Sequence, residues 1–208
     1  FEAALSKLIR RELAAHRRIL FNGNGYSEEW PLEAERRGLL NLRSTPEALI
    51  HYTDEKNVAL FARHGVYTRT EIQSRQDINM EEYAKIIHIE ALTLIDMLGK
   101  LIVPACAAYS KQLAEGVAAK AGIGVDAPAE AAQVRLLTEK TAELIERTER
   151  LKAVVAAEPE ELNARAMYEH EAVIPAMEAA RQVADELEGR VGKEYWPMPS
   201  YADLLFYV

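Results

Sequence analysis

Five histidines, at positions 16, 51, 64, 88 and 170, and one cysteine, Cys106, are the side chains of this 208-residue chain best suited to ligate a metal or attack an electrophile. A dinuclear metal site inside a helical bundle draws on Glu-x-x-His, which puts a carboxylate and an imidazole on one helix face. No histidine here has glutamate three residues before it. The densest polar cluster is Tyr168-Glu-His-Glu171, and His170 falls on an apolar helical seam, where it reads as a buried, hydrogen-bonded histidine. A metal-binding helical enzyme built around His88, Glu90 and His170 is the alternative. Cys106 has alanines at 105, 107 and 108 and no base nearby in sequence, so it reads as a packed thiol.

The segment Asn22-Gly-Asn-Gly-Tyr26 invites a phosphate-binding reading because the amides of glycine-rich turns can cradle anions. A dinucleotide fingerprint needs a third glycine where Glu28 stands, and a P-loop needs Gly-Lys-Ser/Thr. The segment also follows a helical pattern instead of a strand. It reads as a structural turn, with ligand contact as the minor reading. Arg10-Arg11 and Arg17-Arg18 form the compact basic patch of the chain and read as a helix exterior or interaction surface. Two aromatic groups, Tyr26 with Trp30 and Tyr195-Trp196 with Tyr201, suit either docking on their own domain or a subunit interface.

Helices must position all of these groups. Leu5, Leu8, Ile9, Leu13 and Leu20 mark one face of an N-terminal helix. Ser27 is a candidate cap for the next helix, and Gly38 its stop. Thr45-Pro46 looks like a further start, and Gly65 ends the stretch that follows. From Thr68 or Thr70 to about Gly116, apolar residues recur at 80, 84, 87, 91, 94, 98, 101, 105 and 108, the seam of one long packed helix. Pro104, helped by Gly99, should bend it. Residues 121–128 connect to a helix with a seam at 134, 137, 141, 144, 148, 151 and 155. Glu158-Pro159-Glu160 breaks that helix. A last seam runs through 166, 170, 173, 177, 180, 184, 187 and 191, with a second bend expected at Pro175.

Short connections make successive helices antiparallel. The expected fold is therefore all-α: three long antiparallel helices in a bundle, residues 68–208, with a helical N-terminal extension, residues 1–67, and a docked aromatic tail. Burying Trp196 and Phe206 of that tail gains roughly 2 kcal/mol each. Apolar types make up 49% of the chain, enough for a core. Lys and Arg number 25 against 33 Asp and Glu, a net charge of -8 that argues against nucleic-acid and anionic-membrane partners. The acidic side chains between 129 and 190 read as a solvated face. The single cysteine fits a reducing compartment. Four ionisable groups between Ile86 and Val103 exclude a lipid-spanning reading of that stretch. No signal peptide is expected, and the missing initiator methionine suggests preceding residues.

The stretch Arg17-Arg-Ile-Leu-Phe-Asn-Gly-Asn-Gly-Tyr-Ser-Glu-Glu-Trp30 resembles a segment near the C-terminal domain of type III glutamine synthetases. Glu33 to Leu42, Ile89 to Met97 and Val191-Gly-Lys-Glu-Tyr-Trp-Pro-Met-Pro-Ser-Tyr-Ala-Asp-Leu-Leu-Phe206 resemble the same family, in the same order. The resemblance implies the C-terminal region of a longer cytoplasmic enzyme that joins glutamate and ammonia using ATP and Mg or Mn. It implies partners in the catalytic domain of the same polypeptide and in other subunits of a homo-oligomer. The family's Glu-Phe-Arg segment is not found in this chain, so no catalytic, cofactor-binding or metal residue carries over, and the chain alone is expected to be inactive. Asn22, Gly23, Asn24, Gly25, Tyr26, Trp30, Tyr195 and Trp196 remain as structural or interface candidates. An acidic all-helical interaction module without a catalytic parent is the alternative from another class.

Overall fold

Glycine and proline punctuate this chain, and most of its helices stop where they stand. The computed structural model describes residues 1–199 and 201–206; among these every regular element is helical and none is a strand. The chain divides into two compact units, Phe1–Ala48 and Leu49–Val208.

The first unit opens with α1 (Glu2–Ala15), which buries no residue and leaves Leu5, Leu8, Ile9 and Leu13 exposed. A 3-10 turn, Arg17–Ile19, leads to the Asn22–Tyr26 segment and then to α2 (Glu29–Arg36). Gly38, with φ +68°, ends α2, and the Leu39 amide donates back to the Ala34 carbonyl. Ser27 does not cap this helix as expected. Its hydroxyl donates to the Asn24 carbonyl at 2.8 Å, so the turn claims it first. The short α3 (Thr45–Leu49) starts at Thr45-Pro46 as read.

In the second unit, α4 (Glu55–Arg63) ends at Gly65, with φ +63°. A reciprocal capping box between Thr68 and Glu71 starts α5 (Arg69–Met97). This helix passes through a π-helical turn, Leu98–Ile102, into α6 (Val103–Gly122), making 54 continuous residues. Pro128 begins α7 (Pro128–Ala156). After the Glu158-Pro159-Glu160 break come α8 (Leu162–Tyr168), a second π turn at Glu169–Val173, and α9 (Ile174–Glu188). The last element is α10 (Tyr201–Leu205).

Both interior prolines act through these π turns. Proline has no N–H to give the carbonyl four residues back, and its ring crowds that carbonyl. The chain widens by one residue before each proline: Val103 donates to the Leu98 carbonyl and Ile174 to the Glu169 carbonyl. The extra residue rotates everything downstream. The seam read through 80, 84, 91 and 98 is buried, but beyond it the core takes Ile102 and Cys106, while Leu101 is 43% exposed and Ala108 faces out. The expected positions 101 and 108 are thus corrected by the π turn.

Three apolar clusters hold the bundle. Leu98, Ile102 and Cys106 meet Leu137 and Leu144 of α7 and Ala180, Val183, Ala184 and Leu187 of α9. Ala91 meets Leu151, Val155 and Val173. Met80 and Ala84 meet Leu49 and Ala166. Numbers fall along α7 as they rise along α5, α6 and α9, so the three long helices run up, down and up. Thr141 and Thr148 fill the α7 seam by donating to the carbonyls of Leu137 and Leu144.

Candidate functional site

One place in the second unit gathers chemistry from three separate elements. His88 lies midway along α5, Glu158 in the α7–α8 connection, and Glu169 at the head of the second π turn. One ligand atom from each lies within 4.8 Å of the other two. Local structure holds the connection in place. Glu161 caps α8 by accepting from the amides of Asn163 and Ala164. The Arg165 guanidinium donates to the carbonyls of Pro159 and Glu160, and the Tyr168 hydroxyl donates to the Val154 carbonyl at 3.0 Å.

His88 Nδ1 and Glu158 Oε1 are 2.7 Å apart, with Glu158 mostly buried. Glu169 is 0% exposed, and neither oxygen of its ionised carboxylate receives a hydrogen bond; only the protonated form can bond Glu158. Burial first, then the charge of Glu158 and a proton shared with it, push the Glu169 carboxyl up to about 7 against the weaker pull of His88 and Arg165. Burial, followed by the Glu169 charge, also raises the Tyr83 phenol. A pocket of about 190 Å³ opens beside the cluster, with His88, Glu158, Arg165, Lys85 and Glu81 in its wall.

The alternative metal-binding reading of the sequence sets His88 with Glu90 and His170, and the structure sets it with Glu158 and Glu169. Glu90 is exposed and His170 is half-buried; neither joins the cluster. Glu169, one residue before His170, departs from the solvated face expected of residues 129–190 and is buried completely. Cys106 is buried as expected, and burial pushes its thiol up, away from the nucleophilic range.

The Asn22–Tyr26 segment is held from within the first unit. The Tyr26 amide donates to Asn24 Oδ1 at 3.0 Å, and the Ser27 amide to the Asn24 carbonyl. A side chain on Gly23 would meet the Phe21 ring at 2.4 Å, which accounts for the glycine. Phe21 packs on Trp30 with ring centroids 4.8 Å apart, not on Tyr26, which is 101% exposed. Arg37 donates to the carbonyls of Arg18 and Leu20 and lies over the Trp30 ring. At the other end of the chain, Tyr195 and Trp196 pack on the main core, Tyr195 against Tyr109 at 5.4 Å. The expected docking of the tail is thus met at Trp196. Phe206 departs from it, standing 75% exposed, and the Tyr201 side chain and Val208 lie outside the described residues.

The family model described as the glutamine synthetase C-terminal domain matches residues 4–121. The chain belongs to this family. Among curated relatives of this glutamine synthetase domain, the type-3 glutamine synthetase of Dictyostelium discoideum is 36% identical over 99% of the chain. Glutamine synthetases of Butyrivibrio fibrisolvens and Bacteroides fragilis (strain YCH46) are 34% and 32% identical over 97% and 99% of it. The chain spans 29% of the length of each.

ATP and a phosphate-bridging Mg2+, which the family implies, do not fit the groups present here. A Mg2+ that bridges phosphates wants several oxygen ligands around an open octahedron. The described cluster offers one imidazole and two carboxyl groups, too few oxygen ligands for that octahedron. The glycines of the Asn22–Tyr26 turn are packed under Phe21 or belong to an Asx turn, with no strand before them. No described helix is long and apolar enough to cross a membrane.

Proposed function

We propose that this chain is the helical C-terminal part of a glutamate–ammonia ligase, serving assembly and positioning while the reacting groups lie elsewhere in the same polypeptide. The observation that carries this reading is the alignment of nearly the whole chain with only 29% of each glutamine synthetase relative. Phosphoryl transfer from ATP to glutamate, then attack by ammonia, needs preorganised cations and donors around the transferring group. ATP and Mg or Mn are therefore assigned to the remainder of the enzyme. Residues 1–67 lead from that catalytic domain into the bundle of residues 68–208.

The partners of this reading are the catalytic domain of the same polypeptide and further copies of the enzyme, in the cytoplasm. Support comes from apolar surface that its own unit leaves open: the leucines of α1 and the ring of Tyr26. Nucleic acid and membrane are not partners in this account, consistent with the net charge of -8. Substituting Leu8→Glu together with Tyr26→Ala in the intact enzyme is expected to lower the assembled fraction seen by light scattering and leave helical circular dichroism unchanged. Unchanged mass would remove this surface from the assembly.

A further inference from the structure

We propose that His88, Glu158 and Glu169 form a binding site for one divalent transition-metal ion, typified by Zn2+, whose remaining coordination position opens into the adjacent pocket. Three features of the geometry support it. Three ligand atoms of types that zinc accepts, an imidazole nitrogen and two carboxylate oxygens, converge within 4.8 Å from α5, the α7–α8 connection and the second π turn. Glu169 is wholly buried and aimed into this cluster, yet no donor meets either of its oxygens. As an anion this carboxylate needs a counter-charge, and a cation held between it, Glu158 and His88 would supply one. The pocket beside His88 and Glu158 supplies an entry path and room for a water or an anionic ligand, with Arg165 and Lys85 in its wall.

The fit needs only small side-chain movements. Tetrahedral zinc with bonds of about 2.1 Å sets neighbouring ligand atoms roughly 3.4 Å apart. The 2.7 Å contact of His88 with Glu158 must open a little and Glu169 must close in. Mixed nitrogen and oxygen donors with a partly enclosed position suit zinc over Mg2+. A bound ion would tie the middle of α5 to the start of the π turn, joining two long helices through the connection between α7 and α8.

The test uses the intact protein that carries this chain, stripped with a chelator and dialysed against micromolar Zn2+ alone, with bound metal counted per chain. Wild type should keep one more ion than H88A and one more than E169Q. Glu169→Gln is the fold-safe variant, because a neutral amide fits the apolar site and helical circular dichroism checks it. In wild type, Zn2+ should also raise the thermal midpoint, and that rise should vanish in E169Q. Equal ion counts in wild type and a folded E169Q would overturn the proposal and leave a proton shared between Glu158 and Glu169 as the state of this cluster. The count is independent of whether the enzyme makes glutamine, so its failure and that of the ligase reading are separable.

Discussion

Glu33 shows how a single residue organises the first unit. Its carboxylate accepts from Arg36 at 2.6 Å and from Arg37 at 2.5 Å, and these bonds, Arg36 before Arg37, hold it down at about 2, well below its ordinary 4.5. Because the folded value lies below the unfolded one, the stabilisation is present above pH 4.5 and is lost as pH falls toward 2. Trp30 is the reporter, since Arg37 lies over its ring. In a Trp196→Phe background, Trp30 fluorescence should show the first unit loosening between pH 4.5 and 2. Glu33→Gln should flatten that pH dependence; an unchanged acid transition would contradict the role given to this carboxylate. The same scale shows what the sequence concealed. Asn24 and Gly23 announced a turn from their residue types alone, but the exchange of Tyr26 for Phe21 as the partner of Trp30 depends on packing no short-range pattern encodes. Glu169 looked solvated because nearly every other acidic residue around it is, and burying a glutamate contradicts the ordinary expectation for its type.

Helix limits were largely legible, because Gly38, Gly65, Pro46 and Pro128 act through backbone geometry that depends little on distant contacts. The α7 seam from Leu137 to Val155 was legible too, since no proline interrupts it. Phase was lost at Pro104. A bend is the expected response; the helix takes in one extra residue there, which puts burial at 102 and 106 and leaves 101 and 108 exposed. This difference is measurable. Ile102→Ala, at a buried site, should cost roughly 2–5 kcal/mol, whereas Leu101→Ala, half-exposed, should cost within about 1 kcal/mol. Chemical denaturation of the two variants compares them directly, and the reverse ranking would contradict the π-turn register. Loss of the Thr68 hydroxyl in Thr68→Ala should remove the capping box and lower stability by about 1 kcal/mol in the same assay.

For the whole molecule, a bundle with a packed apolar core follows a first unit whose leading helix buries nothing. Such a helix gains little from its own apolar face, so its stability should come from what covers that face. That division fits a chain whose relatives are more than three times longer. The tail follows the same logic: Tyr195 and Trp196 complete the core, while Leu204, Leu205 and Phe206 are left at the surface. The all-helical class could be read from periodicity, but the ligase reading rests on four segments that resemble one family, because helical spacing carries no signature of that reaction. The most direct measurement is ATP- and glutamate-dependent incorporation of labelled ammonia into glutamine by the intact polypeptide and by this chain alone. The intact polypeptide should form glutamine and the 208-residue chain none; product from the chain alone, or none from the intact polypeptide, would contradict the account.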